Sequence, residues 1–151
     1  MRKYLILLTL LTSAKFSFSQ LAKPQSKQEL IAVCDKFMDM FKDAQFRQAF
    51  SYLKHYSVIE DSKLDTLGIT VSRQMGGLKN SYGRIVGYER VSAREVRNSI
   101  VKVVYIIKFE KTFLQLRFIL YSPGANSGWT INNFKYNEEL DELNFEEPKR
   151  P

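Results

Sequence analysis

Histidine and cysteine are nearly missing from this chain: each occurs once, as His55 and Cys34, in 151 residues. A zinc site needs three or four convergent Cys, His or carboxylate ligands, so its usual ligand sets cannot be assembled. A Ser-His-Asp triad would depend on His55 alone. That residue shares a side of its expected helix with Gln48, Ser51 and Tyr52, away from the apolar stripe, where surface and boundary residues fall. A single cysteine forms no intramolecular disulfide. Cys34 sits among Leu30, Val33, Phe37 and Phe41 at helical spacing and reads as a small buried hydrophobe, with no histidine nearby to activate it. Phosphate-binding and nucleophile-bearing glycine motifs are missing too. Gly76-Gly77-Leu78-Lys79 lacks the leading glycine of a phosphate loop. Gly124-Ala125-Asn126-Ser127-Gly128 places its serine one position late for a G-x-S-x-G elbow, and lies between strands rather than before a helix. No catalytic residue, metal ligand or cofactor site is therefore expected.

There is also no apolar run of the roughly 20 residues that a membrane-spanning helix needs. The shorter run that is present has another meaning. Met1-Arg2-Lys3-Tyr4 supplies a positive start, residues 5–11 are apolar apart from Thr9, and Ser17-Phe18-Ser19 puts small residues where a signal peptidase reads them. The pattern predicts a signal peptide over 1–19 cut before Gln20. Ala14 is a weaker alternative cut, and Lys15 is an unfavourable charge near the site. No cysteine lies near the cut, so the expected product is a released periplasmic or secreted protein without a retained anchor. Losing Arg2, Lys3 and Lys15 lowers the formal charge by three, from +7 to +4, which weakens any case for nucleic acid.

About 130 residues then remain, enough for one domain with a core that needs no staples. Residues 20–25, with Pro24, read as a flexible leader. Ser26 and Glu29 form a capping-box pattern that starts a helix at Lys27. Leu30, Val33, Cys34, Phe37, Met38, Phe41 and Ala44 give that helix one apolar face, while Asp35, Asp39 and Asp43 line another, read as solvated beside Lys36 and Lys42. Phe46, Ala49, Phe50, Leu53 and Tyr56 continue the period in a second helix. A third, capped by Asp61 or Ser62, carries Leu64, Leu67, Val71, Met75, Leu78 and Tyr82. Gly68, Gly76 and Gly77 each cost it about 1 kcal/mol against alanine, so it is expected to kink or stop early, with Gly83 a natural terminator.

From Arg84 the period becomes two. Val101, Val103, Tyr105, Ile107 and Phe109 face a core in one strand, and Leu114, Leu116, Phe118 and Leu120 in the next, joined by a hairpin at Lys111-Thr112. A loop through Ser122-Pro123-Gly124 and Gly128 leads to Trp129, Ile131, Phe134 and Tyr136, whose parity slips at Asn132-Asn133 and predicts a β-bulge there. The acidic run 138–147, ending in Pro148 and Pro151, reads as a solvated tail, so the domain spans 26–137. The fold class is α+β: about three N-terminal helices packed on a curved antiparallel meander of about four strands.

The Asp43-Ala44-Gln45-Phe46 step into a helix bearing Ala49, the Tyr82-Gly83 entry to the sheet and the closing Gly128-Trp129-Thr130-Ile131 strand resemble the nuclear-transport-factor-2-like superfamily, in particular its small exported bacterial domains. The resemblance covers about residues 28–137. It implies a cone with a pocket between sheet and helices, on which isomerase-like enzymes, binding modules and dimerisation scaffolds are all built, so it leaves function open. The expected function is non-catalytic binding of a small apolar ligand or a protein partner. The alternative is a small isomerase or lyase using a carboxylate or tyrosine in the pocket. Tyr56, Tyr82, Tyr105 and Trp129 are the polar-tipped pocket candidates.

Residues 63–117 hold 11 basic and 4 acidic side chains. They predict a positive outer sheet face bearing Arg90, Arg94, Lys102, Lys108 and Arg117. Tyr105, Phe109 and Phe118 point away from that face, which speaks against stacking of single-stranded nucleic acid on it. Val104, Ile106 and Ile119 share it and are candidates for self-association as a homodimer.

Overall fold

A computed structural model describes residues 26–124 and 127–137. The signal-peptide, leader and acidic-tail expectations fall outside these residues. Ser26 caps the first helix as its pattern requires, its hydroxyl accepting from the Glu29 amide at 3.2 Å. α1 then runs Lys27–Lys42 and buries Leu30, Val33, Cys34, Phe37, Met38 and Phe41. A tight reversal follows. Ala44 takes φ 58°, and the amides of Ala44 and Gln45 donate back to the Phe41 and Met40 carbonyls, satisfying groups that the helix end leaves open. α2, Phe46–Leu53, buries Phe46, Ala49, Phe50 and Leu53.

α2 ends before His55 and Tyr56, which the apolar period had placed on it. The segment after it turns along the start of the last strand. The Val58 amide donates to the Ile131 carbonyl, the Ile131 amide donates to the Tyr56 carbonyl, and Ser57 bridges Ile131 in parallel. α3 is a single helix, Asp61–Tyr82, rather than the interrupted one that its glycines suggest. Gly68 explains part of this: a Cβ there would sit 3.2 Å from Arg47 Cα and 3.3 Å from Phe50 Cβ, so the bare position lets α2 and α3 approach closely. Asp61 belongs to the helix itself, and the cap position is Glu60, which makes no side-chain cap bond. Gly83 ends it at φ 81°, a conformation that glycine adopts without strain.

β1 (Ile85–Arg97), β2 (Ile100–Phe109), β3 (Phe113–Tyr121) and β4 (Thr130–Asn137) form one antiparallel sheet in sequence order. The domain is thus α+β, with three helices preceding a four-stranded meander. The register of β3 on β4 passes from Ile119↔Asn133 to Leu120↔Ile131, leaving Asn132 as the extra residue, at the place where parity slips in the sequence. β1 carries three further register shifts against β2, which bend the strand.

The helices cover one face of the sheet, and the core lies between them. Phe37 is its centre, with ring centroids at 5.2 Å from Phe50, 5.4 Å from Phe118 and 5.8 Å from Phe134. Edge-to-face contacts of this kind add to the area that each ring buries. Among the described residues no helix is long and apolar enough to cross a membrane.

Candidate functional site

Where α1 ends and β1 begins, the helices stand away from the sheet and leave a cavity of about 440 Å³. Its walls follow from the elements around it. α3 turns Ser72, Met75, Gly76 and Lys79 toward it, residues that share a face at i, i+3, i+4 and i+7. Ala44 and Phe46 enter from the α1–α2 reversal, and Ile85 and Phe109, paired at the end of the β1–β2 ladder, close the sheet side. Gly76 leaves the helix wall bare, since a Cβ there meets nothing within 4 Å.

The charged groups of this cavity gather at its edge. Lys42 pairs with the exposed Asp43 at 3.6 Å. Lys79 makes no ion pair among the described residues. Arg84 is held by Glu110, whose carboxylate accepts from the Arg84 amide at 3.0 Å and from its guanidinium at 2.9 and 2.8 Å. The backbone amide and then the guanidinium hold the Glu110 carboxyl below its ordinary value. Gly83 is required beside this clamp, because a Cβ would lie 2.7 Å from Glu110 Cβ. Apolar walls with cations at the rim suit a molecule that has an apolar body and an anionic end.

A second polar cluster lies between α1 and the sheet. Asp35 Oδ1 accepts from the Tyr105 hydroxyl at 2.8 Å, and its Oδ2 accepts from Arg90 at 2.8 Å. Asp39 accepts from the Tyr88 hydroxyl at 2.9 Å. These carboxylates are not a solvated helix face: the tyrosines of β1 and β2 reach up to them. Arg90 likewise departs from the outer face assigned to it. A register shift between Arg90 and Ser92 breaks the alternation of β1 and brings Arg90 opposite Tyr105, toward α1. Burial first, then the Asp39 bond, pushes the Tyr88 hydroxyl up to about 12. The Tyr105 hydroxyl is pushed higher still, by burial above all, and burial likewise raises the Cys34 thiol, leaving it protonated and inert.

None of the four aromatic candidates is among the residues lining the cavity. Tyr105 is fully buried against α1. Tyr82 packs edge-on to Phe109 at 5.5 Å, one ring behind the cavity wall. Tyr56 and Trp129 belong to the opposite region, where Thr130, next to Trp129, donates to the Tyr56 carbonyl at 3.0 Å. Val104, Ile106 and Ile119 do share the outer sheet face: Val104 is buried and the other two are half-buried. His55 is exposed beside Tyr56, and no group of three His, Cys, Asp or Glu able to hold a metal occurs among the described residues.

Comparison with protein-family models, with curated proteins and with solved structures finds no match. The site is therefore read from its own geometry. The cavity residues carry no distinct mark in the sequence, because the apolar ones look like core and the cations like surface. The Asp35 and Asp39 pair carried a readable signal, two carboxylates one helical turn apart in a protein whose strands offer inward tyrosines.

Proposed function

We propose that this chain is an exported, non-catalytic binding domain that holds a small ligand with an apolar body and an anionic group in the cavity between α1, α3 and the β1–β2 end. The observation that carries this reading is the cavity itself. Its size falls in the range of small-molecule sites, roughly 300–1,000 Å³, and its composition pairs Phe46, Met75, Ile85 and Phe109 with Lys79 and Arg84 at the edge. Export rests on the signal-peptide pattern, and a place in the nuclear-transport-factor-2-like group rests on the resemblance of the reversal and strand motifs. Binding is favoured over proton transfer because Asp43, the carboxylate in the described wall, is exposed and ion-paired. A general base retuned by apolar surroundings would instead be buried. The test is saturable binding of a medium-chain carboxylate, blocked by a side chain grown from position 76.

A further inference from the structure

We infer that the outer face of the sheet, opposite the helices, is the docking site of the chain's own acidic run, residues 138–147. The inference is independent of the cavity. All three helices lie on the other face, yet Val104 is only 1 % exposed and Gln115 only 2 %. Val104 stands apart from the core cluster that the helices cover. The Gln115 Oε1 is buried and has no hydrogen-bond partner among the described residues. A buried acceptor left unpaired is unfavourable because it has lost its water and gained no donor, so burial of this amide beside Val104, on a face that no described element covers, points to a further layer bearing a donor.

The surroundings of Gln115 specify the chemistry of that layer. Gln115 faces Ile106 across β2, and Ile119 lies two positions past Arg117 on the same face. This apolar strip is bordered by cations: Lys102 opposite Ile119, Arg117 opposite Val104, Arg94 opposite Lys102, and Lys135 opposite Arg117. A second copy would bring cation against cation, which disfavours self-pairing. An acidic segment with interspersed apolar residues fits the face. Residues 138–147 read Glu-Glu-Leu-Asp-Glu-Leu-Asn-Phe-Glu-Glu, with six carboxylates, three apolar side chains and no cation.

Connectivity makes this occupant available. Asn137, the last residue of β4, is in register with Gln115, so the run begins beside the patch. Ten extended residues reach about 33 Å, whereas crossing from β4 to β2 takes only about 10 Å. An attached segment also acts at an effective concentration of order millimolar, ahead of any acidic partner in solution.

The experiment places a nitroxide on the full-length chain through Asn144→Cys, Cys34 being buried, and reads amide intensities by NMR. The expected result is that Val104, Ile106 and Ile119 lose more than half of their intensity. Core-facing positions near the cavity should keep theirs, and the loss should shrink in the Lys102→Glu/Arg117→Glu variant. A second sample mixes nitroxide-bearing, isotope-free chain with isotope-labelled, nitroxide-free chain, and should show no loss. The inference is overturned by unchanged intensities at the patch, by losses that ignore the charge reversal, or by losses that appear in the mixed sample, which would assign the face to a second copy.

Discussion

Removing the Tyr105 hydroxyl and removing the carboxylate that receives it should have unequal effects. Tyr105→Phe deletes one hydrogen bond to a charged acceptor, a class worth about 1.5–3 kcal/mol. Asp35 is partly exposed, keeps Arg90 at 2.8 Å and can take up water, so about 1.5 kcal/mol is expected, the low end of that range. Asp35→Ala instead strands the Tyr105 hydroxyl in the core, adding an orphaned buried donor at about 1–3 kcal/mol to a partly exposed ion pair worth about 0.2–1 kcal/mol. The sum is about 1.2–4 kcal/mol, most of that range lying above the loss for Tyr105→Phe. In the double variant there is no hydroxyl to strand, so the two losses should fall short of additivity by about 1–2 kcal/mol. Urea unfolding followed through Trp129, the single tryptophan, measures all four corners of the cycle. Additive losses would refute the claim that the hydroxyl is satisfied by Asp35 in a water-poor site.

The same cluster predicts an alkaline limit. Tyrosines raised from 10.0 in the folded state, Tyr88 to about 12 and Tyr105 beyond it, keep their protons while the unfolded chain loses them. Stability should be full below pH 10 and fall as pH rises through the folded values, read as a declining urea midpoint that Tyr105→Phe makes less steep. On α3 the glycines should separate by environment. Gly77→Ala meets nothing within 4 Å and should stabilise by about 1 kcal/mol, raising Tm by a few degrees. Gly68→Ala pushes against Arg47 and Phe50 and should melt below Gly77→Ala. Equal melting temperatures would contradict the close α2–α3 approach.

Much of the fold was legible because burial follows simple periods here. The capping serine, the Phe37-centred helix face, the alternating strands and the extra residue at Asn132 are all written in local pattern. What escaped the sequence depends on contacts between elements. The passage of α3 through Gly68 goes with its close packing on α2, which a per-residue helix preference does not register. Arg90 moved to the helix side because bulges in β1 shift its parity, and bulges of that kind leave little trace in a strand whose inward positions are not strictly apolar. Asp35 and Asp39 looked solvated because their partners, Tyr88 and Tyr105, lie some 50 to 70 residues away. The cavity was illegible for a related reason: it is the space between α1, α3 and the β1–β2 end, defined partly by the side chain that Gly76 lacks.

The measurement closest to the central claim is a titration of the full chain with decanoate, followed calorimetrically and by NMR, for the natural sequence and for Gly76→Leu. One saturable site is predicted, with shifts concentrated at Met75, Lys79, Ile85 and Phe109, and at least tenfold weaker binding once leucine fills the bare wall while the spectrum of the remaining fold is unchanged. No binding, or binding that the Gly76→Leu side chain leaves intact, would contradict the account.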